Sequence, residues 1–422
     1  MCRAMHTDAI MFEELSGVQR SLRIAVVTET YPPEVNGVAG TAARFVEGLR
    51  AQGHQIQLVR PRQKEELPEG NPDEVLVRGL VIPNYPSLKL GLPARRALER
   101  LWSLRRPDVV HIVTEGPLGW SALQAAEKLK LPVVSDFRTN FHAYSAHYGV
   151  GWLKKPILAY LRKFHNRTLF TLVPTDPIRN DLAGLGFRGL RVIARGVDTK
   201  LFNPARRDES LRATWGVGPN DPVLLHVGRL AAEKNLACLA DAWQAAWSRT
   251  PNARLVMVGD GPERRAFQQR FPDAIFAGVR KGEDLAAHYA SGDVFLFPSL
   301  TETYGNVTLE AMASGLAVVA FNYAAAADVI RHGASGLLAP YGDREAFVRL
   351  AAGLAAAPAR ATQLGDRARN EAATRGWDRV VRQLEATLLI AADSGVAGMP
   401  VDKWGQTPFF SSRPGQLKTS VK

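Results

Sequence analysis

The chain has 422 residues, 46% of them hydrophobic and 22% charged, which is enough apolar mass for two ordinary domains and too much for a disordered polymer. Its two cysteines, Cys2 and Cys238, stand far apart in no ligand-spaced cluster, which argues against a disulfide framework or a structural zinc site and fits a reducing cytoplasm. The net charge of +12 is uneven, with 28 Lys/Arg against 19 Asp/Glu in residues 1–200, and admits nucleic acid, anionic lipid or a phosphorylated ligand as partners.

In chain order, residues 1–20 carry no clear period and form an N-terminal extension without the apolar core of a signal peptide. Residues 21–195 alternate short β-branched runs with longer amphipathic ones: LRIAVVT, GTAARFVEGLRAQGH, QIQLV, DVVHIV, WSALQAAEKLKL, PVVSDF, FTLVPT. Buried strands alternating with helices predict a parallel sheet covered on both faces. RGVDTKLFNPARRDES marks a linker over 196–210, and the alternation restarts over 211–375 with PVLLHVGRL, LACLADAWQAAW, ARLVMVG, AIFAG, DVFLFPS and AVVAF. A C-terminal helix over 376–392, able to return to the first domain, and a polar tail over 393–422 complete the chain. The expected fold class is α/β, two doubly wound Rossmann-like domains facing a cleft, with ligands beyond the carboxyl ends of the strands. No apolar run reaches the roughly 18–20 residues of a membrane span, so the expected location is cytoplasmic.

The chemistry concentrates in FLFPSLTETYGNVTLEAMASGLAVVAF. DVFLFPS predicts a strand, Leu300 to Asn306 a loop, and Val307 to Ser314 a helix stopped by Gly315. Glu302 then lies in the cleft loop and Glu310 about one turn into the helix. After the Tyr304-Gly305-Asn306 turn, the free N–H groups of Asn306 and Val307 form an anion site suited to phosphate. Carboxylates on either side suit hydroxyl-rich groups at the two ends of a diphosphate. A solvated acid pair at a helix start is the plainer alternative, but Leu309, Ala311 and Met312 surround Glu310 with apolar residues, where an unpartnered acid is costly. Arg229 and Lys234, after PVLLHVG, place two cations opposite such a diphosphate.

These segments resemble glycosyltransferase family 4, retaining enzymes of the GT-B fold. ETYGNVTLE is similar to the family's E-x7-E element, and TETYPPEVNGVAG, VIARGVDTKLFNP, LLHVGRLAAEKNL and VMVGDGPER extend the likeness over about residues 22 to 390. FNYAAAADVIRHGASGLLAP resembles the bacterial GDP-mannose-dependent α-mannosyltransferases, neighbours of glycolipid synthases that make sulfoquinovosyl and glucuronosyl diacylglycerol. The resemblance implies a nucleotide-sugar donor, with GDP-mannose ahead of a UDP-sugar, and a lipid or glycan acceptor. It gives Glu310 the ribose, Glu302 the donor sugar, and Gly37, Gly228, Arg229, Lys234, Gly305, Asn306 and Val307 the diphosphate, with Val279 and Arg280 flanking the base. Glu302, Arg229 and Lys234 are its catalytic residues. No dedicated protein base is implied, since a donor phosphate oxygen takes the acceptor's proton. The absence of any D-x-D pair points to no metal and no further cofactor.

His111 in DVVHIVTEG and Arg138 and His142 in SDFRTNFHAYSAHYG are acceptor-side candidates. Some relatives carry a functional histidine where this chain has Val113, and others H-T-N-F where it has Arg138-Thr139-Asn140-Phe141. GWLKKPILAYLRKFHNR interleaves Lys154, Lys155, Arg162, Lys163 and Arg167 with Trp152, Ile157, Leu158, Leu161 and Phe164. That pattern suits either an anionic membrane surface, on the inner face, or an ordinary helix with its charges in water. Rival classes are a sugar-nucleotide epimerase or phosphorylase on the same fold, and a nucleic-acid-binding protein suggested by the basic charge. The last lacks interleaved aromatic residues, and no nucleic-acid partner is expected. An NAD-linked enzyme fits least, since GDGPER departs from G-x-G-x-x-G after two glycines.

Overall fold

The computed structural model describes residues 20–397 apart from residues 35, 64–72, 83–84, 139–153 and 303. The first domain runs β1 (Arg23–Val27), α1 (Gly37–Ala51), β2 (Gln55–Pro61), β3 (Glu74–Val77), β4 (Gly79–Ile82), β5 (Tyr85–Gly91), α2 (Arg95–Leu104), β6 (Val109–Ile112), α3 (Pro117–Lys128), β7 (Val133–Asp136), α4 (Lys154–His165), β8 (Phe170–Val173), α5 (Asp176–Gly184) and β9 (Leu190–Val192). The second runs α6 (Glu209–Thr214), β10 (Val223–Val227), α7 (Leu236–Arg249), β11 (Arg254–Val258), α8 (Arg264–Arg270), β12 (Ile275–Gly278), α9 (Gly282–Ala290), β13 (Val294–Phe297), α10 (Asn306–Ala313), β14 (Ala317–Phe321), α11 (Ala324–Val329), β15 (Leu337–Ala339), α12 (Arg344–Ala355) and α13 (Pro358–Ala373), and α14 (Trp377–Ala397) ends the described chain.

The strands form a seven-stranded sheet of order β3-β2-β1-β6-β7-β8-β9, a six-stranded sheet of order β12-β11-β10-β13-β14-β15, and a β4–β5 hairpin. Both large sheets are parallel, with Ile24 opposite Ile56 and Val109 in one and Leu224 opposite Leu255 and Val294 in the other. Parallel strands need helical crossovers that cover both faces, and the apolar runs obey: alternate residues of one strand enter different cores. Ile24 and Val26 pack with Phe45 and Leu49 of α1, whereas Ala25 and Val27 pack with Trp102 of α2 and Leu118 of α3. In the second sheet Leu224 joins Trp243 and Phe347, and Leu225 joins Tyr289, Leu309 and Met312.

Strand order reverses between β1 and β6 in the first sheet and between β10 and β13 in the second. Loops leaving adjacent strands in opposite directions open a crevice there, which fixes where a ligand can sit. The chain passes between domains side by side: Val197 donates its N–H to the carbonyl of Arg375 at 3.1 Å. After this second crossing α14 lies on the first domain, with Val381, Leu384 and Leu388 in the same core as Phe45. Asp198 of the connector accepts from Arg44 of α1 at 2.8 Å and from the N–H groups of Lys200 and Leu201, so the junction is tied to the first domain.

Candidate active site

On the second domain, α10 begins at Asn306, one residue earlier than the sequence pattern suggests, because Gly305 takes a left-handed φ of 92° as its N-cap. That cap has no side chain to satisfy the first N–H groups, which leaves the helix start suited to an anion. Glu302 accepts from Ser299 Oγ at 2.8 Å and from Lys234 Nζ, so the carboxylate expected at the sugar and one cation expected at the phosphates form an ion pair. Arg229 pairs with Glu233, which is 3% exposed and was not singled out in the sequence. Main-chain Glu233 also accepts from Leu300 N and Ser299 Oγ, at 3.3 Å each, which clips the G-R-L-A-A-E-K loop to the loop carrying Glu302. Arg229 and Lys234 therefore each have a carboxylate fixing their direction.

Glu310 is partly accessible, and Tyr289 donates to its Oε2 at 2.9 Å. Burial of the carboxyl pushes its pKa up to about 7, against the lowering effect of the tyrosine bond. Tyr323 and Tyr341 donate to the carbonyls of Glu302 and Leu300 at 3.1 and 2.8 Å, holding this loop by its main chain. Glycine is required at 259, where a Cβ would come within 1.9 Å of the Gly228 carbonyl; the loops after β10 and β11 close onto each other through that gap.

The first domain faces this from α1 and the connector. Asn36 caps α1, accepting from Val38 and Ala39 N–H at 3.0 and 2.8 Å, and Gly37 follows at the first helical position. Arg195 Nη1 donates to Asn306 Oδ1 at 3.1 Å, and a Cβ at residue 37 would lie 2.7 Å from that nitrogen. Gly37, Arg195 and the start of α10 thus meet across the cleft.

Beneath them lies a buried network. Asp136 binds His111 Nε2 and Arg138 Nε at 3.1 Å each, and Arg138 Nη1 reaches the Ile193 carbonyl at 2.9 Å. Burial alone would raise the Asp136 pKa, but the Arg138 guanidinium and His111 hold it below the usual carboxylate range. Glu29 and Glu115, at the carboxyl ends of β1 and β6, are buried, and desolvation pushes them up to about 7 and about 8. Glu29 accepts from the Leu118 N–H at 2.8 Å at the start of α3.

The family model "Glycosyl transferases group 1" matches residues 221–356, and "Glycosyltransferase Family 4" matches residues 35–201. A GDP-mannose-dependent alpha-mannosyltransferase of Mycobacterium tuberculosis is 35% identical over 329 residues, 77% of this chain and 85% of that protein. The chain belongs to glycosyltransferase family 4. A sulfoquinovosyl transferase of Arabidopsis thaliana is 33% identical over 339 residues, 76% of this chain and 64% of that one. The structure of Anabaena HepE in complex with UDP superposes with a TM-score of 0.72 at 18% identity, covering 87% of this chain and 100% of that chain, so the fold is GT-B.

In this family 4 glycosyltransferase the structure gathers Gly37, Lys234, Glu302, Gly305, Asn306 and Glu310 at the two switch points. His111 and Arg138 do not line an open surface: both side chains are fully buried and held by Asp136, because a strand-end pair beside a buried carboxylate is drawn into an internal network. His142 lies outside the described residues. Val279 is 59% exposed at the end of β12, and Arg280 binds the Ala277 carbonyl and Asp284 instead of projecting freely. The basic segment also differs from one of its two expectations. Leu161 and Phe164 are buried and Ile157 and Leu158 pack inside, so the apolar face of α4 belongs to the core and not to an interface; Trp152 lies outside the described residues. Arg167 pairs with Glu127, and Lys163 Nζ sits 5.9 Å from the Trp120 ring centroid. No described helix is long and apolar enough to cross a membrane.

Sequence reasoning missed Glu233, Arg195 and Asp136. Glu233 stood four residues from Arg229, a spacing that brings side chains together only if a helical turn forms there, as the 3₁₀ turn Ala232–Lys234 does. Nothing local marked Arg195, whose partner Asn306 is distant in sequence, and the burial that joins Asp136 to Arg138 and to the distant His111 is not visible in their spacing.

Proposed function

We propose that the protein transfers a hexose with retention of configuration, mannose from GDP-mannose, to a membrane glycolipid or oligosaccharide acceptor. The observation that carries this is the meeting of Gly37, the Lys234–Glu302 pair and the open start of α10 across one cleft. Lys234 and Arg229 bind the donor diphosphate and stabilise the charge that grows as the nucleoside diphosphate leaves. Glu302 holds the sugar hydroxyls while keeping Lys234 in reach, and Glu310 holds the ribose. The acceptor enters from the first domain, its hydroxyl attacks on the face the diphosphate vacates, and a phosphate oxygen receives the proton. The two domains supply orientation, and no protein base or metal is invoked.

Similarity to mannosyltransferases supports the mannose donor. Similarity to the sulfoquinovosyl transferase supports a second reading, a UDP-sugar-dependent glycolipid synthase. Incubating purified protein with lipid extract and either GDP-mannose or UDP-sugars, and measuring released nucleoside diphosphate and labelled lipid, separates the two. Absence of transfer from every donor, with nucleotide bound, would count against both. The protein is further proposed to dock at the inner membrane face through the charges of α4 alone, Lys155 and Lys163 among them, with its apolar residues left in the core.

A further inference from the structure

Arg195 stands a few residues beyond β9, where the chain leaves the first domain, and only 6% of it is exposed. Removing a guanidinium from water is expensive unless carboxylates and hydrogen bonds replace the solvent. Here the replacement is incomplete. Nη1 has the neutral Asn306 amide at 3.1 Å, Nε is buried with no hydrogen-bond partner, and Arg195 makes no ion pair among the described residues. Burial, with repulsion from Arg138, pulls its pKa down to about 10, and the charges of Tyr304, Glu302 and Asp136 act the other way. The position is nevertheless firmly built: Tyr304 OH donates to the Arg195 carbonyl at 3.3 Å, and residue 37 has no side chain where a Cβ would lie 2.7 Å from Nη1.

A buried cation short of counter-charge is a poor structural element and a good ligand group. Its neighbours Gly37 and Asn306 are the residues assigned to the donor diphosphate, and Glu302 is assigned to the donor sugar. We propose that Arg195 is a further donor-site residue, a third cation supplied by the interdomain connector that faces the diphosphate between Gly37 and Asn306. The proposal rests on the donor-site reading given under Proposed function. It gives the glycine at 37 a second reason, since any side chain there displaces the guanidinium. It also places one donor contact on the segment that joins the domains.

The test uses the full chain carrying Arg195→Met, Arg195→Lys or, as a control in the second domain, Glu310→Gln. Three quantities are measured: the melting temperature of the free protein, its rise with saturating GDP or UDP, and kcat/KM with whichever donor is active. Arg195→Met removes a costly cation without stranding a charged partner, so it is expected to melt at or above wild type, to gain less from the nucleoside diphosphate, and to lose about 10²-fold in kcat/KM. Arg195→Lys keeps the charge and should stay within about tenfold of wild type. The proposal is overturned if Arg195→Met melts lower while its ligand-induced rise and kcat/KM match wild type, since the residue would then be purely structural. If Arg195→Met does not fold, Arg195→Gln, which drops the charge and keeps a polar side chain, decides: a reduced ligand-induced rise supports the proposal and an unchanged one overturns it. If Glu310→Gln binds the nucleoside diphosphate like wild type, the donor-site reading itself fails and the proposal with it. A flat Arg195 result beside a weakened Glu310→Gln overturns the proposal alone.

Discussion

The two sides of the cleft hold charge in opposite ways. On the second domain Lys234–Glu302 and Arg229–Glu233 each join a cation to an acid at the ends of β10 and β13, and Arg229 keeps 43% of its side chain exposed. On the first domain His111, Asp136 and Arg138 form a network with side chains wholly excluded from solvent. An ion pair at a cleft edge can exchange partners with a ligand at small cost, whereas a sealed one mainly holds its own elements in place. Similar residue types at similar strand ends thus stay partly accessible on one side and are sealed on the other.

The largest expected effect tests the architectural side. Asp136→Asn leaves Arg138 charged and buried without its carboxylate, and should destabilise the protein by about 3–5 kcal/mol in urea unfolding. A loss below about 1 kcal/mol, the scale of an exposed pair, would erase the distinction between the two sides.

Next comes the recognition side. Lys234→Ala should lower kcat/KM by about 10²-fold or more, because it removes a cation from developing negative charge. Glu302→Gln should lower turnover as well, with a smaller effect on nucleoside diphosphate binding. The double variant should lose less than the product of the two, since one contact joins them. Strict additivity would mean that the observed pair has no role in the working enzyme.

The exterior of the first domain gives a third, smaller contrast. Changing Lys155 and Lys163 to Gln should weaken binding to phosphatidylglycerol vesicles by about ten- to thirtyfold, on the order of 1 kcal/mol per charge, with transfer to a short water-soluble acceptor retained. Unchanged cosedimentation would make these charges a solvated face and nothing more.

The smallest effect concerns Glu310. Its folded pKa of about 7 lies above the ordinary 4.5, so the folded state holds the proton more tightly. Stability from this group is therefore present below pH 4.5 and is lost as pH rises towards about 7. Glu310→Gln should show a shallower loss of unfolding free energy between those pH values and about tenfold weaker nucleoside diphosphate binding. Parallel pH profiles for the two proteins would show that the carboxyl is not perturbed.

The two parallel-sheet domains were legible in the chain, because a strand buried on both faces must be written as a continuous apolar run, and LRIAVV and PVLLHV are such runs. The start of α10 was legible there to within one residue, since an apolar helical run with glycine before it is a local pattern. Which charges stay partly accessible and which are sealed follows from long-range packing instead. The partner of Asp136 at residue 111 is 25 positions away, and that of Arg195 at residue 306 is 111 positions away, so no spacing rule connects them. The apolar face of α4 was ambiguous for the same reason: periodicity shows that a helix has an apolar side, and packing decides whether that side meets protein or lipid.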